Sequence, residues 1–303
     1  MKRILICGSN GLLGQRLALM LSNRTEYETL STSRERSFVY DDRLFDYTQL
    51  DLTRKGDVKS LISSFQPDVI MNAAALTNVD WCEDHREDAW NGNVVAVENL
   101  VEAARKVGAK LIHVSTDYVF DGKTGNYSEN DKPNPVNYYG KTKLAGENAI
   151  RVADIDHAIL RTIVVYGCGV GVKRNFALWV IDSLRAGNSI RCVTDQIANP
   201  TYVADLALAM IKVAELDKSG IFHVSGKEAV SRFEFAVRIA EGFGLDPALI
   251  EPIRTEQLVQ RAARPLHTSL VTLKAETELG FKPMGVTEGI EQLRHELQTA
   301  RKN

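Results

Sequence analysis

The chain lacks any run of about 18 apolar residues, so no segment is expected to cross a membrane. Cysteine is scarce and scattered. Cys7, Cys82, Cys168 and Cys192 form no C-x-x-C pair and have no histidine pattern beside them. That spacing predicts neither a disulfide framework nor a metal site. The thiols are expected to be reduced and mostly buried, as in a cytoplasmic protein. Charge of one sign is not in excess either, since 37 lysines and arginines stand against 39 acidic residues. A formal charge of -2 leaves no electrostatic footprint for nucleic acid or an anionic membrane surface. An anionic ligand must then be met by local cations. The opening MKRILICGSNGLLG has too short an apolar run for a signal peptide, and it enters glycines where a cleavage site would be expected. Repeats and low-complexity segments are absent.

What is present is an ordinary globular composition, 44% hydrophobic and 25% charged over 303 residues, enough to bury a full core. Strands and helices alternate in the first half. Strands are predicted at Lys2 to Cys7, Tyr27 to Thr32, within Phe45 to Leu52, at Asp68 to Asn72, Lys110 to Ser115 and His157 to Arg161. Between them lie predicted helices from Gly11 to Leu21, Asp57 to Phe65, Glu83 to Val107 and Tyr138 to Val152. Nearly continuous apolar strands in this alternation predict a parallel sheet covered on both faces. The polar stretch from Asp117 to Asn137 is long for an idle loop. Beyond Gly167 the pattern loosens. Helices are expected at Asn175 to Ala186, Val203 to Glu215, Ser231 to Phe243 and Glu288 to Ala300, and short strands at Arg191 to Val193 and Gly220 to Val224.

Gly8-Ser9-Asn10-Gly11-Leu12-Leu13-Gly14 joins the first strand to the first helix with the spacing G-x-x-G-x-x-G. Glycine is needed where the chain turns tightly, where a pyrophosphate approaches the main chain, and where helix packs on strand. A free helix N-terminus then offers N–H groups and partial positive charge to phosphate. The fold expected is therefore a doubly wound parallel Rossmann sheet with a smaller, mainly helical C-terminal lobe. Residues 1–166 form the dinucleotide-binding unit, with sheet elements returning at about 190–225. Residues 167–303 supply most of a partly interleaved substrate lobe. Ser33 and Arg34, at the end of the second strand, with Arg36 beyond, favour a 2′-phosphate and hence NADPH, although Glu35 between them opposes it; NADH is the alternative. Asp51 and Leu52 are placed beside the adenine. Small residues Ala73, Ala74 and Ala75 after Asn72 let backbone approach a bound dinucleotide. Asn72 can tie neighbouring loops together, and Asn93 can bond backbone near the site.

Tyr139 and Lys143 stand at i and i+4 on a predicted helix and so share a face. A phenol of pKa about 10 exchanges protons poorly near neutrality, and a neighbouring ammonium is expected to lower it. Tyr138 has Thr142 at that spacing, so only Tyr139 has the lysine. Thr116 follows the fifth strand at the carboxyl edge, where ligands bind in such sheets, and can hydrogen-bond a reacting carbonyl.

Together these segments resemble the extended short-chain dehydrogenase/reductases, and within them the dTDP-4-dehydrorhamnose reductase family. The likeness runs through NAAALTNVD, STDYVFDG, NPVNYYGKTKLAGE, DQIANPTYVADL and Arg264-Pro265-Leu266. It implies a catalytic trio of Thr116, Tyr139 and Lys143, with Lys143 and the glycine turn also holding cofactor. It further implies a nucleotide-diphosphate sugar in the second half. Asp80, Thr116, Asp117 and Tyr118 would face that sugar, and Lys173, Arg174 and Arg264 are candidate cations for its diphosphate. Dehydratases of this type carry Asp-Glu after the threonine, whereas here Tyr118 follows Asp117, so ketone reduction is implied rather than water elimination. Two positions depart from the reductase pattern: Val164 stands where a tryptophan is usual, and Met284-Gly285 where an aromatic is. Two other members of the same resemblance define alternatives. One is an NADP-binding regulatory subunit like the beta subunit of methionine adenosyltransferase, and the other is a sugar epimerase. Pairing into a homodimer suits such folds, but no residue demands it.

Overall fold

Apolar runs such as the ILIC of KRILIC and the VIM of VIMN occur because both faces of the sheet they enter are covered. The computed structural model describes residues 1–40 and 45–300. Its first half runs β1 (Lys2–Cys7), α1 (Leu12–Leu21), β2 (Tyr27–Ser33), β3 (Asp46–Gln49), α2 (Lys55–Phe65), β4 (Val69–Asn72), α3 (Val79–Asp84), α4 (Arg86–Trp90), α5 (Ala96–Val107), β5 (Lys110–Thr116), α6 (Tyr138–Arg151) and β6 (His157–Thr162). A seventh strand, Gly220–His223, completes the sheet in the order Gly220–His223, β6, β5, β4, β1, β2, β3. Every neighbouring pair is parallel. Strand order reverses between β1 and β4, and the connections leave that point in opposite directions. This opens a crevice at the carboxyl ends of the strands.

Ile4 and Ile6 of β1 pack with Leu17 of α1 and Leu206 and Met210 of a later helix on one face. Leu5 and Cys7 pack with Ile62 of α2 and Leu100 of α5 on the other. Alternate residues of one strand therefore serve two cores, as the two-residue strand repeat requires.

The second half adds α7 (Phe176–Arg185), α8 (Val203–Glu215), α9 (Arg232–Phe243), α10 (Leu273–Leu279) and α11 (Val286–Ala300). Helix α8 lies on the sheet, whereas α7, α9 and α11 close a separate core around Tyr166, Val180, Phe235, Ile239 and Leu293. Of the stretch expected to return to the sheet at about 190–225, only Gly220–His223 does so as a strand. Ile190–Val193 instead pairs in parallel with Ile250–Ile253, in a two-stranded sheet of its own.

The single helix expected from Glu83 to Val107 is broken. Helix α3 starts earlier, where Asn78 accepts from Trp81 N at 3.1 Å, and a wide π turn at Asn91–Val95 separates α4 from α5. At this turn the Asn93 side chain reaches the loop after β4, accepting from Leu76 N at 2.8 Å and donating to Leu76 O at 3.0 Å. Such turns often mark functional positions in helices.

Candidate active site

The glycine turn is shaped by contacts that a side chain would block. Gly8 has a φ of 81°, and a Cβ there would stand 2.8 Å from the backbone of Ala74. A Cβ on Gly14 would meet the Gly8 carbonyl oxygen at 2.1 Å. Helix α1 begins at Gly11 with no side-chain cap and no acidic residue in its first turn, leaving its N–H groups free for an anion. Asn10 lines the cleft and also fastens the next loop, donating to Ser37 O at 3.0 Å and accepting from Val39 N at 3.1 Å.

A cleft of about 660 Å³ starts at this turn and passes Ala73, Ala74 and Ala75 to reach Thr116, Tyr139 and Lys143. Ser33, Arg34, Asp51 and Leu52 line its far end, with Leu12 and Leu13 beneath. Glu35 lines it too, and a hydrogen bond from Ser33 holds its carboxyl below the usual range, so an anion stands beside Arg34. Ala73–Ala75 and the bare helix end leave a channel between main-chain segments, and these residues fit a nicotinamide dinucleotide.

At the other end, the strand-to-turn junction after β5 sets Thr116. Its hydroxyl donates to Asp117 Oδ1 at 2.9 Å and accepts from Tyr118 N at 3.2 Å. Helix α6 is capped by Asn137, which accepts from Gly140 N at 2.8 Å. A Cβ on Gly140 would stand 2.2 Å from Tyr118 O, so the bare glycine lets α6 press against the turn that carries Thr116. Tyr139 is thereby buried beside Thr116. Burial pushes its phenol pKa up, and the Thr116 hydroxyl only partly opposes this. The lowering expected from Lys143 is not realised in the free site: burial dominates the phenol, and the one group that lowers it is Thr116, not Lys143. Lys143 is also buried, which brings its pKa down to about 8 against the opposing influence of Glu147. Burial raises Asp117 to about 6, with the Thr268 and Thr116 hydroxyls pulling the other way.

The substrate-side candidates divide. Lys173, Arg174, Asp117 and Tyr118 line the cleft, and Arg174 also pairs with Asp182 at 3.1 Å. Asp80 and Arg264 do not line it. They pair with each other at 2.8 Å, and Asp80 also accepts from Ala262 N at 3.0 Å, tying the 262–264 segment to α3. Arg264 is therefore already neutralised. The cation that sequence reasoning missed is Arg232 at the start of α9, which lines the cleft and acts on Tyr118 and Asp117. Its one signal is position: an arginine in a helix's first turn opposes the helix dipole and so invites an anionic partner. Val164, also lining the cleft, has a φ of 46°, rare for a β-branched residue and typical of strained site positions.

A glycine turn under a reversed parallel sheet, with threonine, tyrosine and lysine gathered at its carboxyl edge, defines an extended short-chain dehydrogenase/reductase. The model of the RmlD substrate binding domain matches residues 1–299, and the chain belongs to that family. It is 35% identical to a dTDP-4-dehydrorhamnose reductase of Aggregatibacter actinomycetemcomitans, across 97% of this chain and 99% of the relative. It is also 35% identical to methionine adenosyltransferase 2 subunit beta of Bos taurus, across 91% of this chain and 82% of that one. The crystal structure of dTDP-4-dehydrorhamnose reductase from Bacillus anthracis in complex with NADP superposes with a TM-score of 0.85 at 33% identity, covering 98% of this chain and 100% of the other.

Proposed function

We propose that the protein is an NADPH-dependent reductase of the C4 ketone in a nucleotide-linked 4-keto-6-deoxy sugar, with dTDP-4-dehydrorhamnose as the substrate its relatives point to. The observation that carries this reading is Tyr139 buried against Thr116 in the cleft that begins at the glycine turn. Bound NADPH supplies the hydride. Tyr139, held protonated by burial, gives its proton to the oxygen of the reduced carbon, and the Thr116 hydroxyl hydrogen-bonds the same oxygen as charge develops on it. Lys143, one helical turn from Tyr139, stabilises the phenolate left behind and holds the cofactor ribose. Tyr118 stands where an elimination acid would be needed, which favours reduction over dehydration. Lys173, Arg174 and Arg232 give the cleft the cations a diphosphate requires. Four free cysteines, three of them buried, support a reducing compartment such as the cytoplasm.

The test is NADPH oxidation with dTDP-4-dehydrorhamnose, with Tyr139→Phe as control. Turnover abolished by the substitution is the expected result. Tight NADPH binding without consumption by any keto sugar would overturn the enzymatic reading and favour a regulatory subunit.

A further inference from the structure

The hydrogen bonds behind Lys143 determine where a proton sits. Asn72 Oδ1 accepts from the Ala74 backbone N–H at 3.1 Å, which fixes the orientation of the carboxamide and turns its NH₂ to His113. Asn72 Nδ2 lies 3.0 Å from His113 Nδ1. An amide NH₂ can only donate, so Nδ1 must carry the lone pair. His113 is completely buried, and burial, with the Lys143 charge second, holds its pKa well below the ordinary value. A neutral ring has one N–H, which is then on Nε2, facing Lys143 Nζ at 3.2 Å. That N–H needs an acceptor. An ammonium offers none, whereas an amine offers one lone pair and can still donate to Val114 O at 2.8 Å.

We propose that Asn72 and His113 are positioning residues that keep Lys143 as the neutral amine in the cofactor-free protein at mildly alkaline pH, and that Lys143 there takes up one proton from solvent when a dinucleotide enters the cleft. The ligand brings oxygen acceptors and phosphate charge to a lysine that lines its cavity. Both raise the affinity of Lys143 for a proton. The groups around the lysine agree with this. On its own helix are Tyr139 and Glu147, and from β5 comes His113. Glu147 is engaged by Arg161 of β6 in a buried pair, so much of its charge is already balanced. A free-state pKa of about 8 is consistent with an amine at mildly alkaline pH. The tautomer is independent of the proposed reaction, whereas the proton uptake rests on the cofactor reading.

At about pH 9, nitrogen NMR of histidine-labelled, cofactor-free protein should show His113 protonated on Nε2 and bare on Nδ1. The opposite tautomer, or an imidazolium, overturns the proposal without any variant having to fold. Calorimetry of NADPH binding in buffers of different ionisation heat then counts protons. Uptake should approach one per cofactor at about pH 9 and fall to a small fraction at about pH 7, where Lys143 is mostly charged both before and after binding. Asn72→Asp would draw the histidine proton to Nδ1 and present an Nε2 lone pair to the ammonium, so uptake at pH 9 should fall below half the parent value. Equal uptake in parent and variant overturns the role of Asn72. If NADPH does not bind, the uptake and the cofactor reading fail together, while the NMR result still judges the tautomer.

Discussion

Arg161 meets Glu147 in a two-pronged ion pair, Nε to Oε1 at 3.0 Å and Nη2 to Oε2 at 2.7 Å, with 1% and 0% of the two side chains exposed. The pair bolts α6 to β6 one helical turn beyond Lys143. Its guanidinium also lies over the Phe120 ring at 5.1 Å, while Nη1 has no hydrogen-bond partner among the described residues. Removing one half leaves a buried charge uncompensated, so Glu147→Ala should lower stability by about 3–5 kcal/mol. Replacing both with Leu and Met should lower it less, because no charge is then stranded. Urea midpoints of the three proteins decide between a paired and an independent role.

Tyr139→Phe keeps the ring and removes only the proton donor. The expected loss in kcat is about 10²–10⁴-fold. NADPH affinity, read by fluorescence titration, should stay close to that of the parent. A parallel loss of affinity would mean that the phenol holds cofactor rather than moving a proton.

Gly14→Ala forces a methyl into the Gly8 carbonyl, 2.1 Å away. It should destabilise by about 1–3 kcal/mol and weaken NADPH binding, since the turn must open. Gly56 in α2 is the matched control, with nothing within 4 Å of an added Cβ. Gly56→Ala should stabilise by about 0.4–1 kcal/mol and leave binding alone. Thermal melts with and without NADPH measure both.

Arg34→Ala should reduce discrimination for NADPH over NADH by about tenfold or more, the worth of one charge-assisted hydrogen bond of about 1.5–3 kcal/mol. Dissociation constants for both cofactors give the ratio. An unchanged ratio would remove Arg34 from the 2′-phosphate site.

Asp117 provides a pH signature. Its folded pKa is raised from the usual 3.8 to about 6, so the folded protein holds this proton after the unfolded chain has released it. Stability from this group is therefore full below about pH 4 and is lost as pH rises through about 6. Asp117→Asn does not titrate. Its stability relative to the parent should improve by about 1–3 kcal/mol between pH 4 and 7. A flat difference in denaturation free energy across that window would refute the raised pKa.

Much of this was legible because it is local. The apolar strands, the glycine turn and the Tyr139–Lys143 spacing each lie within a few residues, and their physics needs no partner. The break in the helix at Asn91–Val95 was not legible, because its cause is Asn93 bonding to Leu76 across a loop. Arg264 reads as a free cation until the fold brings Asp80 to it from a distant helix. Arg232 reads as a surface charge until α9 is docked against the cleft. The role of His113 appears only when β4, β5 and α6 are assembled, since its two ring nitrogens answer to different elements.

The seventh strand also has a consequence for synthesis. While the chain emerges from the ribosome, β6 can pair with β5, but its other edge has no neighbour until Gly220–His223 has left the tunnel. During that interval Ala158–Arg161 present an open row of N–H and C=O groups, the kind of edge that templates pairing between chains. The nascent protein therefore carries an open β6 edge late in translation, after its nucleotide-binding turn is built and before its last sheet strand arrives.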